Sequence, residues 1–304
     1  MKKTVTFLIV IHIFCTNAYS DYRIRTQTVL KGSKHPSDDR LVKTKDSPRY
    51  LDAVGRLRVI KSDGTAEVCG ASLVGILPNV NSRIVLTSLH CLNTDIMTWT
   101  TVTNDGLTIK RNIQEAVYVG WDNDYAFLLL DKAVNYREVK PLLIDFVYES
   151  SIIGHMSRGE EFAVAGYSSD AEVGQGGHIL TYDIKGRLAA RDTRGDPIGG
   201  GSEKITTYGG ASGGAVIVVF NVGDNYTEKP RLIEGTHAFL FGIIKGGITD
   251  DFISNNGVKG SNNTRFVTYT KFTDELEKTL RKYNGEVEGL HFSTDDWDLG
   301  DLRD

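Results

Sequence analysis

The sequence predicts an all-β protein, and three observations carry that expectation. Short apolar runs recur along the chain with turn residues between them, 32 glycines supply tight turns, and no helical period interrupts the series before about Thr273. The runs are Asp52 to Ile60, Val68 to Gly75, Arg83 to Leu86, Tyr125 to Leu130, Phe162 to Gly166, Ala215 to Phe220, Ala238 to Ile244 and Phe266 to Tyr269. Each has the length of a strand, and a series without intervening helices reads as a sandwich or barrel. A chain of 304 residues is long enough for two such cores or one large one.

The chain opens with Lys2 and Lys3, an apolar run from Val5 to Phe14, and the small-residue end Ala18-Tyr19-Ser20. That order is a secretory signal over residues 1–20, which makes the protein secreted or periplasmic. Cys15 leaves with the signal, so only Cys69 and Cys91 enter the oxidising compartment, where one disulfide is expected. Residues 21–47 are polar and basic without an apolar period and read as a prosegment or N-terminal arm. The patch Gly199 to Gly201 reads as a mobile loop, because it lacks the strand-before, helix-after setting of a phosphate loop. One helix is expected from Thr273 to Tyr283, with Leu276 and Leu280 one turn apart and Asp274 and Glu275 in its first turn. Residues 286–304 form an acidic tail that lacks the spacing of a calcium loop.

Charge narrows the partners. The net charge of −4 is spread along the chain and leaves no basic stripe for a phosphate backbone, so no nucleic acid is expected. No apolar span in the mature region could form a membrane helix. His35, His155, His178, His237 and His291 lie apart without ligand spacing, which weighs against a metal site.

Three segments carry chemistry. Ile84-Val85-Leu86-Thr87-Ser88-Leu89-His90-Cys91 is an apolar strand that ends in a histidine beside a cysteine, and a crosslink to Cys69 would fix the backbone of that candidate general base. In Asp124-Tyr125-Ala126-Phe127-Leu128-Leu129-Leu130 a carboxylate stands immediately before a core strand. Desolvating it is costly unless it is hydrogen-bonded, and a histidine Nδ1–H is the fitting partner; Asp122 is the nearest rival. In Tyr208-Gly209-Gly210-Ala211-Ser212-Gly213-Gly214-Ala215 a serine sits among glycines that let the backbone approach a carbonyl substrate, and the amides of Gly210 and Ser212 are the candidate oxyanion donors. Taken singly, a structural histidine, a turn aspartate and a glycine-rich turn would each explain one segment.

Together, in the order His, Asp, Ser, the segments resemble the trypsin/chymotrypsin superfamily of serine peptidases. Further segments resemble its bacterial glutamyl-endopeptidase-like (V8-like) branch: Asp38-Asp39-Arg40, Ala53-Val54-Gly55-Arg56-Leu57, Cys69-Gly70-Ala71-Ser72-Leu73-Val74-Gly75 and Val164-Ala165-Gly166-Tyr167. The resemblance spans roughly residues 38–283. It implies two six-stranded antiparallel Greek-key barrels with a C-terminal helix, the first over 48–150 with His90 and Asp124, the second over 151–285 with Ser212. It implies a monomeric serine endopeptidase acting on proteins or peptides through a His90, Asp124 and Ser212 triad, with no metal or organic cofactor.

The departures matter too. The superfamily's zymogen-activated enzymes carry an aspartate before the serine that pairs with a newly cut amino terminus, whereas this chain has Ala211 there and no Ile-Val-Gly-Gly. A catalytically silent binding relative would be expected to have lost a triad or oxyanion residue, and none is lost. Counting back from Ser212, the primary pocket should receive Thr206 and Thr207, with Ile244, Gly246 and Gly247 on the facing strand. Glutamyl endopeptidases place a histidine where this alignment puts Ile244; a shifted alignment would bring in His237 instead. The pocket is therefore expected to take small or medium uncharged side chains, with glutamate as the alternative and Arg or Lys disfavoured.

Overall fold

The computed structural model of the chain describes residues 38–75, 79–92, 96–121, 124–144, 161–184, 187–189, 199–222, 235–247, 252–268 and 282–283. The signal at 1–20, residues 21–37 of the arm, Asp122, the acidic tail and most of the expected helix lie outside them; Lys282 and Tyr283 are helical.

Strands β1 (Leu41–Val42), β2 (Val54–Ile60), β3 (Ala66–Gly75), β4 (Ser82–Ser88), β5 (Ile96–Val102), β6 (Thr108–Gly120), β7 (Tyr125–Val134) and β8 (Leu142–Leu143) occupy the first half. The second half holds β9 (Glu161–Gly166), β10 (Thr181–Asp183), β11 (Arg187–Ala189), β12 (Gly199–Tyr208), β13 (Ala215–Val222), β14 (Gly235–Gly247), β15 (Phe252–Ile253) and β16 (Lys259–Thr268). Strands β2, β5, β6, β7, β4 and β3 pair antiparallel in that order, and β3 pairs back with β2, closing a six-stranded barrel. In the second half β10, β9, β13, β14, β16, β12 and β11 pair in series, all antiparallel. The short β8 runs parallel to both β3 and β14 and joins the halves.

Alternation explains the first barrel. Leu57 and Val59 of β2 point into the core while Arg56 and Arg58 do not, and the apolar start of β7, Tyr125 to Leu130, is buried throughout. Trp99 fills the centre, fully buried, and its Nε1 donates to the Ala71 carbonyl at 2.9 Å. Gly55 makes room for it, since a Cβ there would stand 2.2 Å from the indole nitrogen. A second core gathers Phe162, Val164, Ile205, Ala211, Val216, Val218, Phe241 and Ile244.

One expectation needs correction. Gly199 to Gly201 is not a loop but the start of β12, paired with Val267 to Arg265 of β16. Strand neighbours on both sides, Ala189 of β11 and Arg265 of β16, supply the backbone bonds that glycine propensity alone does not predict. Of the segment 21–47 expected as a prosegment or arm, residues 38–47 run along the fold as an arm, and the side chains they bury are polar. Leu41 and Val42 pair with Tyr182 and Thr181, and Asp38, Arg40 and Ser47 are buried.

Candidate active site

His90 sits in a short 3-10 turn, Leu89–Cys91, at the end of β4. Asp124 stands just before β7, the strand that pairs with β4, so the barrel itself brings the two together. The Asp124 carboxylate clamps the histidine twice: Oδ2 lies 2.8 Å from Nδ1, and Oδ1 accepts the His90 backbone N–H at 2.9 Å. A third bond runs from the Leu89 amide to the Asp124 carbonyl at 3.0 Å. To serve all three, Asp124 adopts a left-handed backbone with φ 55°, which aspartate tolerates better than most residues. The aspartate side chain is 17% exposed against 47% for the histidine, so the carboxylate is the more enclosed of the two and the imidazole the more accessible. Burial alone would raise the Asp124 pKa; the hydrogen bonds and charge of His90, with a contribution from Lys245, outweigh it and hold the carboxyl below its usual range.

Ser212 arrives from the other half, on the turn between β12 and β13. Its carbonyl accepts the Gly70 amide at 2.7 Å and lies 3.9 Å from Cys91 Sγ. Gly213, at φ 75°, has to be glycine: a Cβ would meet the Gly70 carbonyl oxygen at 2.2 Å and Thr87 Oγ1 at 2.3 Å. The Ile244 carbonyl accepts both the Gly213 amide at 2.8 Å and Ser88 Oγ at 3.0 Å, and Thr87 Oγ1 donates to the Gly70 carbonyl at 2.7 Å. The serine turn is thus bonded to β3 of the first barrel and to β14 of its own half, and β4 is bonded to those same two strands. The disulfide between Cys69 and Cys91 ties β3 to the histidine turn at the same junction.

The Ser212 hydroxyl donates to the Lys245 carbonyl at 3.5 Å, a long contact, and among the described residues no hydrogen bond joins it to His90. Catalytic contacts of this kind often tighten only with substrate bound. The amides of Ala211, Gly213 and Gly214 donate to backbone carbonyls, whereas those of Gly210 and Ser212 meet no acceptor among the described residues.

Of the expected pocket residues, Thr206 and Thr207 are buried on β12. Thr206 Oγ1 lies 3.3 Å from Asn262 Oδ1, and the Thr207 hydroxyl lies 3.2 Å from that of Thr264. Ile244 lies level with the serine turn, its amide donating to the Gly214 carbonyl at 2.9 Å, but its side chain is 1% exposed and belongs to the second core. The pairing of β14 with β16 shifts between Ile244 and Gly246, and a Cβ on Gly246 would face open space. His237 pairs with Phe220, seven residues back along β14 from Ile244, and lines a separate cleft with Arg49 and Tyr136.

Sequence reading missed Thr264, Lys245 as acceptor, and the roles of Thr87 and Ser88. The last two left a trace: two hydroxyl residues ending an apolar strand must find acceptors when buried. Among the described residues no group of three or more His, Cys, Asp or Glu could hold a metal.

No family model and no curated protein matches the chain. Solved structures do. A thermostable serine protease from an extremophilic microorganism is 18% identical at TM-score 0.52, covering 79% of this chain and 100% of its own. The protease Anisep from Arthrobacter nicotinovorans is 15% identical at TM-score 0.52, covering 79% and 98%. HL collagenase is 15% identical at TM-score 0.50, covering 78% and 97%. At such identities the likeness is one of fold, and the chain has the chymotrypsin-like double-barrel fold of these proteases.

Proposed function

We propose that this chain is an exported serine endopeptidase in which Ser212 is the nucleophile, His90 the general base and Asp124 the residue that orients it. The observation that carries the reading is the His90–Asp124 pair, clamped by two hydrogen bonds beside a serine turn whose Gly210 and Ser212 amides meet no acceptor among the described residues. Ser212 Oγ attacks the peptide carbonyl as its proton passes to His90 Nε2, and the carbonyl oxygen, now an anion, is received by the two amides. Collapse breaks the C–N bond, His90 returns the proton to the leaving amine, and water repeats the sequence to release the acid from Ser212. These steps need no metal or organic cofactor.

The substrates are proteins or peptides. Thr206 and Thr207 offer hydroxyls and no carboxylate, which favours small or medium uncharged side chains over Arg or Lys, with glutamate as the alternative. The V8-like branch, export by the segment 1–20 and a monomeric state complete the reading.

A fluorophosphonate probe tests it. Stoichiometric labelling of wild type, lost in Ser212→Ala, is expected together with cleavage of a mixed peptide library. A folded wild type that is neither labelled nor active would make the chain a silent binding protein.

A further inference from the structure

The buried ionic cluster on the N-terminal arm leads to the oxyanion turn. Arg40 donates through Nε and Nη2 to both carboxylate oxygens of Asp38, at 2.9 and 2.7 Å, and through Nη1 and Nη2 to those of Asp170, at 2.9 and 3.1 Å. All three residues are buried, at 2%, 5% and 0% exposure for Asp38, Arg40 and Asp170. Two carboxylates around one guanidinium, fully forked on both sides, is a costly arrangement to place in a protein interior without good geometry. Its surroundings show what it holds.

On one side the guanidinium lies 4.6 Å over the ring of Tyr208, the residue that opens the serine turn. On the other, Asp170 Oδ2 accepts the amides of Val173 at 2.8 Å and Gly174 at 3.0 Å, folding the loop 168–177 around itself. That loop lies directly on the turn. The Ser169 amide donates to the Gly209 carbonyl at 2.7 Å, and a Cβ on Gly210 would stand 2.2 Å from Ser169 Oγ and 2.8 Å from the Tyr167 carbonyl oxygen. Gly210 itself has φ 89°, a conformation glycine adopts readily and can also leave readily, so its packing against loop 168–177 is what fixes it. Ala211, next in the turn, is buried among apolar side chains and contributes no charge.

We propose that Arg40 is a positioning residue for catalysis: by joining the arm to loop 168–177 and stacking on Tyr208, it holds Gly209 and Gly210 so that the Gly210 and Ser212 amides converge on the oxyanion. The arm from Asp38 onward is therefore part of the working active site, and any maturation cut that preserves activity falls before Asp38. This rests on the peptidase reading above.

The test uses the full chain with Arg40→Met and, because Arg40→Met strands two buried carboxylates, also Arg40→Lys and Asp170→Asn. Folding is checked by near-UV circular dichroism, and all assays run well below each variant's melting temperature. The expected result is a fall in kcat of about 10²-fold, the size of one lost oxyanion donor, with KM within about twofold. Affinity for a peptide boronate, whose serine adduct places an oxygen at the oxyanion position, should fall by a similar factor. Arg49→Ala, which breaks only the exposed pair with Asp105, should leave both readouts unchanged. Folded Arg40 and Asp170 variants with wild-type kcat and boronate affinity would overturn the proposal alone. An inert, unlabelled wild type would overturn the peptidase reading and this inference with it.

Discussion

Asp124 shows how much a single residue is asked to do. Its carboxylate serves the His90 ring and backbone amide at once, its carbonyl takes the Leu89 amide, and its backbone is left-handed to reach all three. Asparagine tolerates the same backbone and could still accept one bond, but its NH₂ facing Nδ1 would stabilise the wrong imidazole tautomer. Asp124→Asn should therefore fold and lose about 10⁴-fold in kcat. Ser212→Ala or His90→Ala should lose on the order of 10⁶-fold. Steady-state kinetics beside circular dichroism checks all three, and retention of more than a few per cent activity in the serine or histidine variant would sink the assignment. These residues were legible in the sequence because each sits in a short contiguous segment whose flanking residues reveal the local chemistry. Thr264 was not, since its meeting with Thr207 is made only by the pairing of β12 with β16, 57 residues apart.

At the scale of elements, the junction of β3, β4 and the serine turn depends on the Cys69–Cys91 disulfide, which closes a loop of sequence separation 22. In the chain-entropy model such a bridge contributes about 3 kcal/mol. Cys69→Ala/Cys91→Ala should lose that much in urea unfolding and also lower kcat, because Cys91 adjoins His90; an unchanged midpoint would show that the bridge constrains little. The register of β14 makes a second prediction. Ala215 pairs with Ile243 and Phe220 with His237, so His237 stands at the far end of the strand from Ser212. His237→Ala should leave the cleavage profile of a mixed peptide library unchanged, whereas dominant cutting after Glu that this variant abolished would contradict the register. Strands with apolar runs, such as β4, β7 and β13, could be read from sequence. The hairpin of β5 and β6 escaped: threonines interrupt β5, and most β6 side chains are partly or fully exposed, leaving only the short run Ala116 to Val119 behind a polar stretch.

For the molecule as a whole, Arg40 and Asp170 lie 130 residues apart, and no local pattern announces that two polar segments will bury a shared charge. The physical consequence is a pH dependence. Burial would raise the Asp170 pKa, but the hydrogen bonds and charge of Arg40, with the Gly174 and Val173 amides, outweigh it and hold the carboxyl below its usual range. A carboxyl depressed in the folded state contributes stability that is complete above its unfolded pKa, about 3.9, and is lost as pH falls through the lower folded value. Asp124 is depressed in the same direction and adds to the effect. Wild type should therefore hold its unfolding free energy down to about pH 5 and lose it steeply below pH 4. Asp170→Asn removes one titrating group and leaves Arg40 with Asp38 alone. At pH 7 it should be less stable by about 3 kcal/mol, the lower end for breaking a buried pair. Its curve should also be shallower on acidification, so that the two proteins converge as pH falls through the folded Asp170 pKa. Chemical denaturation at a series of pH values decides: parallel curves for wild type and Asp170→Asn would show that Asp170 keeps an ordinary pKa and that the cluster does not link the fold to protonation.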